Sequence, residues 1–74
     1  MTVDKLIAIY AEVLERPGIA ADDDFFAAGG DSLLATRVLS AVYRAAGAEL
    51  TFDDFLAAPT PAALSARLAL GGRR

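Results

Sequence analysis

The sequence of 74 residues contains no cysteine and no histidine. Their absence removes disulfides, thiol nucleophiles, zinc sites of the usual ligand types and the commonest general base. Lysine occurs once, as Lys5, so a phosphate-binding loop that ends in lysine cannot be built here. No apolar run approaches the roughly 20 residues of a membrane helix, and no cationic segment followed by an apolar run opens the chain. The expectation is a cytoplasmic protein without membrane contact. Length is also scarce. Ordering a residue costs on the order of 1.5 kcal/mol, which nearly cancels what apolar burial returns in one small domain. A deep substrate pocket would need a second layer of structure, which is lacking.

Charge is present but uneven. Between Ala21 and Leu56, seven acids (Asp22, Asp23, Asp24, Asp31, Glu49, Asp53, Asp54) stand against Arg37 and Arg44, a net of −5. From Ala57 onward there are three arginines and no acid, a local +3. The acidic middle repels nucleic acid and favours basic protein partners, or simply keeps the surface solvated.

Apolar residues at helical spacing (Val3, Leu6, Ile7, Tyr10, Val13, Leu14) predict a first helix over roughly 3 to 15, with Thr2 as N-cap and Pro17-Gly18 as the stop. Ile19 to Gly30 is aperiodic and reads as a long loop pinned to the core by at least one of Phe25 and Phe26. A second helix is predicted from Ser32 to Ala46, capped by Asp31 and ended by a left-handed Gly47. Ala35, Val38, Leu39, Val42 and Ala46 form its buried stripe; Thr36, Arg37, Ser40 and Arg44 form a polar one headed by Leu33. Thr51 with Asp54, and the Leu50/Phe55 staple pair, mark a short third helix at about Phe52 to Ala57. Thr60-Pro61 opens a fourth, Ala62 to Leu70, with Leu64, Leu68 and Ala63 inward and Gly71-Gly72 at its end. Residues 71–74 read as a flexible tail. The class is all-α, with three longer helices and one short one.

The most deliberate stretch is Gly29-Gly30-Asp31-Ser32-Leu33-Leu34. It places a hydroxyl behind two glycines, at the first turn of an amphipathic helix whose free N–H groups and dipole favour a phosphate. Asp31 makes the same spot a poor trap for a free anion, which favours covalent attachment over reversible binding. A nucleophile elbow is ruled out, because Leu34 stands where glycine is needed and no histidine can serve as base. Asp22 and Asp24 begin like a calcium loop, but Phe26 occupies the third ligand position. Plain helix capping by Asp31 and Ser32 remains as the structural alternative.

The order of these features resembles the carrier-protein superfamily, specifically the thiolation (peptidyl carrier) domains of nonribosomal peptide synthetases. The resemblance rests on the first helix, the acidic loop ending in Phe25-Phe26, the Gly-Gly-x-Ser-Leu-Leu core, the Ala35 to Val42 helix, the Phe52 to Leu56 segment and Pro59-Thr60-Pro61. It implies a small four-helix bundle over residues 1–74 with a long loop between helices 1 and 2. It further implies covalent 4′-phosphopantetheine on Ser32, with Asp31 and Gly30 at the cofactor site, and partner contacts at Leu33, Arg37, Phe52 and Phe55. The implied partners are a phosphopantetheinyl transferase, an adenylating enzyme, and condensation, tailoring or thioesterase enzymes, with catalysis left to them. The carrier itself is expected to be a monomer. Asp31 departs from the histidine usual before the serine, and Ala28 from a leucine. Asp-Ser-Leu is also the mark of acyl carriers of fatty-acid and polyketide synthesis, so that subclass stays open. So does a helical interaction module that docks a peptide and uses Ser32 as a cap. Met1 suits a free-standing protein and an excised domain equally.

Overall fold

A computed structural model describes residues 1–71. Four helices follow in order: α1 Val3–Leu14, α2 Ser32–Ala46, α3 Phe52–Ala57 and α4 Pro61–Gly71. Of the expected tail 71–74, Gly71 ends α4; Gly72 to Arg74 lie outside the described residues. α1 packs against both α2 and α4, and α3 packs against α2.

The starts of the helices follow from local chemistry. Thr2 accepts the Lys5 N–H, and Asp31 accepts the Leu34 N–H at 2.9 Å. Thr51 and Asp54 satisfy each other's backbone N–H groups in a complete capping box. Thr60 Oγ1 accepts the Ala63 N–H at 3.0 Å, with Pro61 at the first helical position. Gly47 ends α2 at φ 70.

α1 ends within a residue of the expected boundary, but not by the expected means. The helix stops at Leu14, before Pro17-Gly18, because Glu15 turns left-handed at φ 53. The Arg16 N–H then reaches back to the Ala11 carbonyl at 3.0 Å and the Glu15 N–H to Glu12 at 3.3 Å. That is a Schellman closure with glutamate where glycine is usual, so the left-handed strain falls on a residue with a Cβ.

Leu6, Tyr10, Ile19, Phe25, Ala35, Val38, Val42, Ala48, Phe55, Ala58, Leu64 and Leu68 form one core. Two residues expected inward face solvent. Ala46 is exposed, because the turn at Gly47 brings Ala48 in to close that end of the core. Ala63 is exposed too, since Pro61, Leu64 and Leu68, at i, i+3 and i+7, already form the inner face of α4. Tyr10, Phe25 and Phe55 meet edge to face at centroid separations of 5.0 to 6.0 Å.

The long loop is tied down by main-chain groups. The Pro59 carbonyl accepts both the Tyr10 hydroxyl (2.8 Å) and the Phe25 N–H (3.1 Å), and the Ala62 N–H donates to the Ala21 carbonyl. Burial, and secondarily the charge of Asp24, push the Tyr10 hydroxyl well above the ordinary tyrosine range.

Candidate functional site

Ser32 is the first residue of α2 and is exposed. Its backbone carbonyl accepts the Thr36 hydroxyl at 3.1 Å. No hydrogen bond engages its Oγ among the described residues. The preceding Asp31 is extended (φ −139, ψ −174), and its carboxylate is occupied in capping the Leu34 N–H. That bond, made through Oδ1, serves the helix. The first-turn N–H groups favour negative charge at this helix start, offset in part by Asp31.

The two glycines have separate reasons. Gly29 takes φ 111, a conformation that side chains rarely adopt. Gly30 is needed for space: a Cβ there would overlap the Phe25 ring edge and come within 2.8 Å of the Phe25 carbonyl. Gly30 also donates its N–H to that carbonyl at 3.0 Å, so the buried Phe25 directly underlies the backbone that leads to Ser32.

Leu33 is 67% exposed beside Ser32, and Arg37, one turn on, is exposed as well. Phe52 is 37% exposed and meets Phe26 edge to face at 6.4 Å, which connects α3 to the loop before Ser32. Phe55 is different. Expected on the partner surface, it is fully buried among Tyr10, Phe25 and Phe26, and cannot contact a partner without unfolding α3. The exposed apolar residue of α3 missed in the sequence is Leu56, at 48%. Open grooves of about 610 and 590 Å³ flank α2, one lined by Leu39, Tyr43 and Leu50, the other by Glu12, Glu15, Arg37 and Arg44. Ser32 lines neither. Its hydroxyl stands on open surface, where a second protein can reach it.

The family model for the phosphopantetheine attachment site matches residues 4–68, which include Ser32, the loop before it and the whole of α2 and α3. The chain belongs to the phosphopantetheine attachment-site family. Carrier domains of this family are generally non-catalytic and bind 4′-phosphopantetheine. CymA of Salinispora arenicola (strain CNS-205), named a probable noncanonical nonribosomal peptide synthetase, is 45% identical over 65 residues, 88% of this chain. The chain spans 1% of that relative's length. Among solved structures, a nonribosomal PCP domain is 42% identical at TM-score 0.77, covering 88% of this chain and 83% of that one. A peptidyl carrier protein structure, described as the phosphopantetheine transferase Sfp in complex with coenzyme A and that carrier, is 36% identical at TM-score 0.89, covering 93% and 90%. The chain is thus a phosphopantetheine-attachment domain similar to the peptidyl carrier domains of nonribosomal peptide synthetases, with their all-helical fold. Among the described residues, no helix is long and apolar enough to cross a membrane.

Proposed function

We propose that Ser32 is the attachment residue and that the domain, residues 1–74, carries an aminoacyl or peptidyl group between enzymes of nonribosomal peptide assembly. The observation that carries this reading is the exposed, unengaged hydroxyl at the first turn of α2, inside the matched residues 4–68. In the proposed modification the Ser32 Oγ forms a bond to the pantetheine-side phosphorus of coenzyme A. The diphosphate P–O bond breaks, adenosine bisphosphate leaves, and the hydroxyl proton passes to a base of the transferring enzyme. The arm, once attached, supplies a thiol on which the carried group is held as a thioester.

This chain's residues contribute placement. Asp31 caps the helix, Gly30 lets the backbone lie on Phe25, and the helix start favours the phosphate. Catalysis belongs to the partners: the transferase, an adenylating enzyme, and condensation, tailoring or thioesterase enzymes, in the cytoplasm where coenzyme A is available. Leu33, Arg37, Phe52 and Leu56 form the contact surface, small enough for transient encounters with several enzymes in turn. The Asp31-Ser32-Leu33 triplet favours a second reading, an acyl carrier of polyketide or fatty-acid synthesis; acceptance by an adenylating or an acyl-loading enzyme separates the two.

The test is the intact mass of the purified protein and of Ser32→Ala after incubation with coenzyme A and a phosphopantetheinyl transferase. One phosphopantetheine is expected on the wild type and none on the variant. A folded wild type with no arm already present that gains nothing, or an equal gain on Ser32→Ala, would overturn the assignment and leave Ser32 as a helix cap.

A further inference from the structure

The two halves of the α1–α2 loop are secured by different means. Its first half is bound to the α3–α4 junction through main-chain groups, Phe25 to Pro59 and Ala62 to Ala21. Its second half folds on itself. The Asp24 carboxylate accepts the Phe26 and Ala27 N–H groups, and the Ala28, Gly29 and Gly30 N–H groups return to the carbonyls of Asp24, Phe26 and Phe25. Among the described residues, apart from the Phe25 N–H bond to Pro59, one hydrogen bond reaches residues 24–30 from outside before Asp31 begins the helix. Arg16 Nη1 donates to the Ala28 carbonyl at 2.9 Å.

That carbonyl belongs to the peptide entering Gly29. Ala28 is half-buried against the core and the Gly29 N–H is bound to Phe26, but a Cβ built on Gly29 would meet nothing within 4 Å, so the glycine side of this peptide has open space and its carbonyl takes its hydrogen bond from Arg16. Arg16, in contrast, is well placed. Its own N–H is bound to Ala11 by the Schellman closure at the foot of α1. A planar, permanently charged fork held at a fixed point is suited to orienting a single carbonyl.

We infer that Arg16 is a positioning residue for modification of Ser32. By holding the Ala28–Gly29 peptide it sets the direction in which Gly30, Asp31 and Ser32 meet the transferring enzyme. The inference rests on the reading of Ser32 as the attachment residue. Arg16 takes no part in the bond exchange at phosphorus; it acts through the path of the backbone, where small displacements reduce transfer rates.

The test compares wild type, Arg16→Met and Arg16→Lys in steady-state transfer from coenzyme A by a phosphopantetheinyl transferase, and in amide hydrogen exchange of the unmodified proteins. Arg16→Met is expected to lower kcat/KM about three- to tenfold, the effect of losing one exposed hydrogen bond. Exchange at Gly29 and Gly30 should speed up by a similar factor and more than in the middle of α1, while the thermal midpoint falls by no more than the loss of that one bond, a few degrees. Arg16→Lys, which can still donate to Ala28, should recover most of both losses. Unchanged exchange at the two glycines overturns the inference, and so does faster exchange with normal transfer. A general fall in midpoint without selective loosening assigns Arg16 to stability and overturns it too. A wild type that takes no arm defeats the attachment reading itself, and the exchange comparison then still decides whether Arg16 holds the loop.

Discussion

The α1–α2 loop and the short helix α3 both adjoin α2, and they are held in opposite ways. The loop is fixed through main-chain groups: Phe25 N–H to Pro59, Ala62 N–H to Ala21 and a self-closed turn, over a fully buried Phe25 ring. α3 is fixed through side chains: one buried ring, Phe55, the Thr51–Asp54 capping box, and a surface ion pair from Arg67 to Asp54 at 3.1 Å. Six residues cannot sustain a helix alone, so α3 depends on those few contacts. The loop presents Ser32 in one geometry, whereas α3 presents exposed Phe52 and Leu56 on a lightly held element. A carrier needs both. On the reading proposed for Ser32, the attachment residue must sit where a transferase expects it, and the contact surface must adapt to more than one enzyme.

The contrast breaks most severely at Gly30. Gly30→Ala drives a Cβ into the Phe25 ring and carbonyl, and neither can retreat without disturbing the core. Overpacking of this kind costs about 2–3 kcal/mol, or about 10 °C or more in Tm for a domain of this size. Thermal unfolding followed by circular dichroism reads the effect. A near-normal midpoint would show that Phe25 is not the rigid support described here.

Tyr10→Phe probes the same anchor more gently. The hydroxyl bond to Pro59 is lost, but the Phe25 N–H still satisfies that carbonyl, so no buried acceptor is orphaned and the expected cost is about 1 kcal/mol. The sign of the pH effect is distinctive. Burial keeps Tyr10 protonated in the folded state beyond the pH at which an unfolded tyrosine ionises. Its contribution is therefore complete below about pH 10 and declines as pH rises further. Denaturant titrations at rising alkaline pH should show wild type losing stability faster than Tyr10→Phe. Parallel curves would mean that the hydroxyl is not buried.

How much of this was legible in the sequence depends on range. Thr2, Asp31, Gly47, Thr51 with Asp54, and Thr60 were readable because each cap is completed within about four residues. The first-turn position of Ser32 was readable for the same reason. The Leu50/Phe55 staple marked Phe55 as packed, but its full closure from partners depends on the distant Tyr10 and Phe25 rings, which no local pattern shows. The Pro59 carbonyl joins α1, the loop and the start of α4, three segments far apart in sequence, and no local pattern marks it. A left-handed Glu15 at the end of α1 runs against the residue preference for glycine, so composition does not mark it.

The mildest perturbation belongs on the α3 side. Asp54 accepts the Thr51 N–H through one carboxylate oxygen and the Arg67 guanidinium through the other; the main-chain bond foremost, then Arg67, holds its carboxyl below the usual range. A lowered carboxyl stabilises the fold above the ordinary carboxylate range near about pH 4, and that contribution fades as pH falls through the folded value. Asp54→Asn should lower the midpoint at neutral pH by less than either loop variant, because the pair is exposed and salt screens it. The difference from wild type should shrink in acid and in high salt, and it should not add to that of Arg67→Met. Amide exchange should quicken in α3 while Gly29 and Gly30 keep their wild-type rates. If those glycines loosened together with α3, the loop and the helix would be one cooperative unit, and the division of labour between a fixed presenting loop and an adaptable contact helix would not hold.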